Sequence, residues 1–452
     1  MLRSTRAALV LLTVGCLFGA ACTSETSDDD SESVDADDDS DTSAPAEDDD
    51  GPPAADAEGI TDDTIKISLI ASDLAQLSEQ NLAPEIGDAQ KTLEAVVADI
   101  NANGGVAGRQ IELVPHVISG TDAVLNPDVG RQACVQATED DKPFAVIITA
   151  AITAETIECA AVDHDNVITM TMDSWPDSYY AESGGRLFSA ATHTSVGRQR
   201  EYRAWPQILD DAGALEGKTV GIIRMDTPEQ EEAVEEGLKP GLADLGVEIA
   251  AESALPCPEG TQTCEQHDVA IQRMRDAGVD FVFLTAQTLV GSATVEAAAN
   301  LGFDPEWATI GNNVTDTVSR FYVNAKDNYN GAWGIDTVFP EPTAEADTCN
   351  EIAVAGGAEA FPSGSDGYGY TGVTCMQLQM LVAAIEAVEG TITQAAVIEA
   401  LEAMSEVPMA AGPTGSFGPD KHDAGDWVFL SRYDAAAEEF VPVDNATPIP
   451  VN

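Results

Sequence analysis

The chain has 452 residues, of which 44% are hydrophobic, enough for about two or three ordinary cores. It carries 79 Asp and Glu against 20 Lys and Arg, a formal charge of −59. A surface of that sign repels nucleic-acid phosphates and anionic headgroups, which excludes DNA, RNA and peripheral-membrane binding.

At the start, Arg3 and Arg6 precede an apolar run, 7–18, that is too short to span a bilayer. Gly19, Ala20 and Ala21 then lead to Cys22. This order resembles a bacterial lipoprotein signal over residues 1–22, with Cys22 as the lipidated first residue of the mature chain. Gly19 stands where such signals usually have Leu. Residues 23–59 follow as an acidic tether. Positions 23–58 hold 16 acidic residues and no basic one. Such a segment cannot bury enough apolar surface to offset its ordering entropy, so disorder is expected. Self-repulsion extends it, which suits a spacer that lifts a folded body off a membrane.

From residue 60 onward, apolar β-rich runs alternate with helical stretches. Strands are expected at 65–71, 110–117, 144–149, 167–172 and 186–191, with helices at 88–103, 128–138 and 153–164. Leu93, Val96, Val97 and Ile100 share one face of the 88–103 helix, and Gly104-Gly105 stops it. The pattern then restarts. Helices at 198–213, 228–245, 268–277 and 292–301 alternate with strands at 218–225, 247–253, 281–285 and 307–311. Repeating βα units of this length imply parallel sheets covered on both faces. Two such sets imply an α/β chain with two doubly wound lobes.

The remainder departs from that rhythm. A strand is expected at 330–338, then a loop-rich stretch with Cys349 and the Gly/Ser cluster 361–369. Helices at 372–388 and 393–404 follow, then a turn at 412–418 and a last strand near 427–433. The chain should therefore cross between lobes more than once.

Six cysteines lie beyond the tether: Cys134, Cys159, Cys257, Cys264, Cys349 and Cys375. An even number in an exported chain favours disulfides. Sequence neighbours make three natural pairs, among about fifteen formal pairings. No C-x-x-C occurs, which argues against zinc knuckles and thioredoxin-type redox chemistry.

Five segments carry a family resemblance. They are Ile65-Lys66-Ile67, the run INANGGVAGRQIEL at 100–113, FAVII at 144–148 with a small-residue loop after it, KTVGII at 218–223, and GPTGSF at 412–417, with FVPV at 440–443. Together they resemble the leucine-binding, branched-chain amino-acid type of periplasmic binding protein, the solute-binding component of ABC transporters. The resemblance implies a type I periplasmic binding fold: two doubly wound parallel-sheet lobes joined by a multi-strand hinge. Lobe 1 is expected over 60–192 with 340–412 returning to it. Lobe 2 spans 193–339, with 413–443 at the hinge or on lobe 2, and 444–452 is a tail. The implied protein is a non-enzymatic, extracytoplasmic monomer. It is lipid-anchored to the outer face of the cell membrane and needs no cofactor. It captures a small polar solute, an amino acid, amide or related compound, and delivers it to a membrane permease. Ligand sensing for a signalling partner is the alternative use of the same fold.

In open parallel sheets ligands bind beyond the carboxyl ends of the strands, where helix N-termini favour anions. The 144–149 strand delivers Thr149, Ala150, Ala151 and Thr153 to such a point. Small residues let a ligand reach the backbone, and threonines add hydroxyls. The next loop supplies Asp173, Ser174 and Trp175, the last as an apolar wall. On the second lobe Asp226, Gln287 and Asn312 occupy the corresponding tips. Amino-acid binders of the family usually place aromatics in the first two of these second-lobe loops and an acid in the third. Thr227, Gln287 and Asn312 with Asn313 stand there instead, which leaves Asp226 as the counter-charge for an ammonium group. Enzyme chemistry has no foothold: the five histidines form no H-x-x-x-H pair, and neither a G-x-S-x-G elbow nor a complete phosphate loop of the G-x-x-x-x-G-K-[ST] type occurs.

Overall fold

The computed structural model describes residues 53–80, 83, 85–126, 128–150, 154–190, 196–257, 264–286, 288–310, 325–336, 341–445 and 447–451. Cys22 with the signal, and the tether up to residue 52, lie outside these residues, as do Ala151, Thr153, Gln287, Asn312 and Asn313.

Two sheets organise the fold. The first runs β2-β1-β3-β4-β5, formed by β1 (Thr64–Asp73), β2 (Gln110–Ser119), β3 (Ala145–Thr149), β4 (Ile168–Thr171) and β5 (Leu187–Ser189). All its pairings are parallel, with Ile67 opposite Leu113 and Leu69 opposite Ile147. Ile65, Ile67, Leu69, Ile70 and Ala71 are all buried, because helices cover both faces of a parallel sheet. The second sheet runs β13-β12-β10-β9-β8-β6-β7. Its parallel part is β6 (Val220–Met225), β7 (Ile249–Leu255), β8 (Phe281–Leu284), β9 (Glu306–Ile310) and β10 (Trp333–Ile335). The antiparallel strands β12 (Leu430–Asp434) and β13 (Glu439–Pro442) extend it at the β10 edge. Two short strands, β11 (Trp427–Val428) and β14 (Ile449–Pro450), pair separately. This is the α/β, doubly wound pair expected from the sequence.

The glycine-rich segment has a physical explanation. Asp88 caps helix Ala89–Ala102 by accepting from the Lys91 N–H at 3.1 Å. Gly105, at φ +77°, ends the turn with its N–H on the Ile100 carbonyl. A Cβ there would lie 1.9 Å from the Arg109 carbonyl oxygen, so no other residue fits. The Arg109 guanidinium is buried and donates to the carbonyls of Pro53, Thr61 and Ala107. Asn101 clasps both the N–H and the carbonyl of Ile111. The segment is thus a rigid helix-to-strand corner.

After β10 the chain returns to the first sheet. Two stretches read as loop are helical. Cys349 lies in helix Ala344–Ala355, capped by Thr343. The Gly/Ser cluster is loop only as far as Ser365, whose hydroxyl caps helix Asp366–Glu386. Gly367 serves close packing: a Cβ there would come within 2.4 Å of the Phe361 ring. Val373, Met376, Leu378, Leu381 and Ile385 of this helix are buried in one core with Ile67, Leu69 and Ile147. Each such side chain contributes about 2 kcal/mol of transfer free energy. Helix Gln394–Glu402 joins the same core, capped by Thr393. Among the described residues 330–336 of the expected 330–338 strand, Trp333–Ile335 is extended, with helix Lys326–Tyr329 just before it. Disulfides join Cys134 to Cys159, Cys257 to Cys264, and Cys349 to Cys375. No described helix is long and apolar enough to cross a membrane.

Candidate functional site

Because the chain passes between sheets after β5, after β10 and before β12, segments from both lobes meet at their strand tips. On the first lobe, Thr149 ends β3 almost fully buried. Its hydroxyl donates to the Met172 sulfur at 3.4 Å and lies 3.3 Å from the Thr374 hydroxyl. Ala150 follows at φ +53°, a left-handed conformation that costs an alanine about 1 kcal/mol. Its N–H also meets the Met172 sulfur, and Ala150 packs, as does Tyr370 of helix Asp366–Glu386, on the small cluster of Leu74, Leu77 and Ile86.

The loop after β4 brings Asp173, Ser174 and Trp175 to the same end. Asp173 is half-buried. Burial pushes its carboxyl up to about 6, against the pull of Arg198. Burial also raises the Tyr370 phenol, helped by the Asp173 and Asp366 charges. Ser174 is buried; its carbonyl accepts from the Arg198 guanidinium at 2.7 Å. Trp175 is 7% exposed, with its ring 5.4 Å from that of Tyr179 and 5.8 Å from the Arg198 guanidinium carbon.

On the second lobe, helix Arg198–Asp211 starts directly at the junction. Tyr202, Trp205 and Leu209 form its buried stripe, and Glu201 lies in that stripe, 2% exposed. Among the described residues neither carboxyl oxygen of Glu201 has a hydrogen-bond partner. Burial pushes its pKa up to about 8, against the opposing pull of Arg198 and Arg200. Just beyond β10 stands Asp336, 3% exposed, at φ +54°. Its Oδ1 accepts from the Phe429 N–H at 2.7 Å, whereas its Oδ2 has no partner among the described residues. Burial first, and then the Glu201 charge, raise the Asp336 pKa. Asp226 sits apart from this group. It is well exposed, 3.7 Å from Arg224, on an acidic groove of about 570 Å³ that Glu231 and Glu232 also line.

Hydrogen bonds join the two lobes here. Glu232, on helix Pro228–Glu232, accepts from the Ser178 N–H at 3.0 Å and from the Ser178 hydroxyl at 2.5 Å. Gln199 accepts from the Asp177 N–H at 2.9 Å and also donates to Glu232. Asp177 and Ser178 open the first-lobe helix Asp177–Glu182, so the second lobe caps that helix. Tyr179 adds a bond to Glu229 at 3.3 Å.

Thr149, Ala150, Asp173, Ser174 and Trp175 thus share the carboxyl end of the first sheet, and Asp226 follows β6 of the second, exposed. Ala151, Thr153, Gln287 and Asn312 fall outside the described residues. The sequence reading overlooked Arg198, Glu201, Asp336 and Tyr370. A readable signal existed for one of them: Glu201 interrupts the apolar 202-205-209 stripe where a buried residue belongs.

Two sheets, the first parallel and the second parallel from β7 through β10, joined by chain crossings at their strand tips, define the two-lobe type I fold of ligand-capture proteins. The chain belongs to the periplasmic binding protein family, whose model matches residues 83–437, and the likeness to its leucine-binding branch stands. The family consists of solute-binding proteins that act outside the cytoplasm. Comparison with curated protein sequences finds no match. Among solved structures, a solute-binding protein of an ABC transporter from Rhodopseudomonas palustris HaA2, in complex with p-hydroxybenzoic acid, is similar at 16% identity and TM-score 0.63. That likeness covers 86% of this chain and 98% of the other. A branched-chain amino acid ABC transporter protein from Thermus thermophilus with bound valine has 13% identity and TM-score 0.61, over 86% and 97% of the two chains. A fatty acid ABC transporter substrate-binding protein from Thermomonospora curvata has 17% identity and TM-score 0.62, over 88% and 95%.

Proposed function

We propose that this chain is an extracytoplasmic lipoprotein, anchored through Cys22, that captures a small polar solute between its lobes and hands it to an ABC transporter permease. The observation that carries this reading is the set of hydrogen bonds that reach across the strand tips, with Ser174 and Ser178 on one side and Arg198 and Glu232 on the other. A guest between such tips is enclosed when the lobes close, and the closed form is what a permease distinguishes from the open one. The acidic tether of 23–59 supplies the reach from the membrane. The solute is an amino acid, an amide or a related compound. Asp173, Ser174 and Trp175 with Thr149, Ala150, Ala151 and Thr153 form the first-lobe wall; Asp226, Gln287 and Asn312 belong to the second. The protein acts as a monomer, without a cofactor and without turning over its ligand.

Thermal unfolding of the purified protein against amino acids, amides, polyols and short carboxylates tests this. A ligand present at a hundred times its Kd stabilises by about 2.7 kcal/mol through mass action, a shift of several degrees. A flat response across the whole panel would count against solute capture.

A further inference from the structure

Helix Arg198–Asp211 begins where the chain first passes between the lobes, so its first turn is a pivot for lobe movement. The Arg198 N–H donates to the Trp175 carbonyl at 3.3 Å and pins that pivot. The Arg198 guanidinium grips the first lobe as well: it donates to the Ser174 carbonyl at 2.7 Å and lies over the Trp175 ring. Asp173, in the same loop, adds the attraction of its charge. One turn along the helix stands Glu201, buried, with no donor to either oxygen among the described residues. Residues three apart are neighbours on a helix surface, and the leading positive charge on Glu201 is Arg198, followed by Arg200. Arg200 is committed to Asp423 and Asp426 and to the carbonyls of Gly425 and Val451. Arg198, among the described residues, holds neutral acceptors. The other crossings meet at the same place. The Asp336 N–H donates to the Phe429 carbonyl at 2.8 Å, and its Oδ1 accepts from the Phe429 N–H. The Glu201 charge raises Asp336, so the two carboxyls do not ionise together.

A buried carboxylate without donors is strongly disfavoured, so Glu201 stays neutral until a cation turns to it. A charged acceptor then outcompetes a neutral carbonyl for a guanidinium. We propose that Arg198 is a latch between the lobes set by Glu201: it grips the first lobe while Glu201 is neutral, and turns back to its own helix when Glu201 ionises, which loosens closure. A contact this close to the pivot sets the angle of the lobes, and a small displacement there becomes a large one at their far ends. Between pH 7 and 9.2 Glu201 is the group around Arg198 that titrates. Asp173, at about 6, is already ionised. Burial raises the phenols of Tyr179 and Tyr180 and lifts that of Tyr202 to about 12, so all three stay neutral. The latch belongs to the empty protein and does not depend on which solute is captured.

The test is solution scattering of the unliganded full chain from pH 7 to 9.2, with far-UV circular dichroism on the same samples. The wild-type radius of gyration should rise with a midpoint near pH 8 while the helical signal holds. Glu201→Gln should keep the neutral-pH radius throughout. Arg198→Met, which has no guanidinium to turn, should show the larger radius already at pH 7 and no further rise. Trp175, the ring beneath the guanidinium, reports the same step without either variant. Its emission, taken as the difference between wild type and Trp175→Phe, should change with the same midpoint, so a variant that fails to fold leaves the question decidable. A wild-type radius and Trp175 emission that stay flat overturn the proposal. So does a rise that Glu201→Gln shares, or one that comes with loss of helix and is therefore unfolding. Each of these leaves solute capture standing, because the ligand panel above decides that separately.

Discussion

Single residues set the pH response. Burial lifts the Glu201 carboxyl to about 8, far above the ordinary carboxylate range it has when unfolded, and Asp336 moves in the same direction. The native state therefore binds more protons than the unfolded chain between those two ranges, and stability falls as pH rises. The advantage is whole below about pH 4, shrinks through neutrality, and is gone once pH passes the folded pKa near 8. Asp173 adds a smaller term of the same sign, completed near pH 6. Urea unfolding at pH 5, 6.5 and 8.5 should give a falling midpoint. Glu201→Gln, neutral at every pH, should flatten that decline while remaining folded. A midpoint that climbs over this range, or a variant as steep as the wild type, would contradict the assignment.

At the scale of elements, what was legible was what rests on short-range physics. The βα rhythm and the corner at 100–113 depend on local periodicity and glycine backbone freedom. Both are visible in sequence and present in the structure. Helices Ala344–Ala355 and Asp366–Glu386 were partly hidden; in the second, Gly367 reads as loop while serving close packing against Phe361. The junction groups were harder still. Asp336 follows a strand of three residues, and its meaning depends on Glu201, 135 positions earlier in the chain. Nothing local couples them. The Cys349–Cys375 bond ties the two partly hidden helices together. Its separation of 26 residues corresponds to about 3 kcal/mol of unfolded-state entropy. Replacing both buried cysteines by alanine should lower the unfolding free energy by about that amount without displacing the second sheet. Denaturant titration followed by Trp fluorescence measures it, and a change below about 1 kcal/mol would place the stability of this helix pair in its apolar packing alone.

For the whole molecule, the question is what holds the lobes together when no guest is between them. The Glu232 carboxylate grips both the N–H and the hydroxyl of Ser178, at the start of a helix whose first donors have no partners of their own. Gln199 takes the N–H before it and is itself steadied by Glu232. One side chain of the second lobe thus completes a helix of the first. Opening the lobes hands those donors to water, so the net worth of the bonds is modest, about 2 kcal/mol for a charged acceptor with two donors in a half-buried place. That amount multiplies the ratio of open to closed molecules about 30-fold when it is lost. Glu232→Ala should therefore raise the radius of gyration of the unliganded protein in solution scattering, and weaken any solute whose binding closes the lobes. Ser178→Ala removes only the hydroxyl bond and should fall between wild type and Glu232→Ala. Equal radii for all three proteins would mean that the junction is held by the Arg200–Asp423–Asp426 cluster and the crossing strands, and that Glu232 is ornamental to closure.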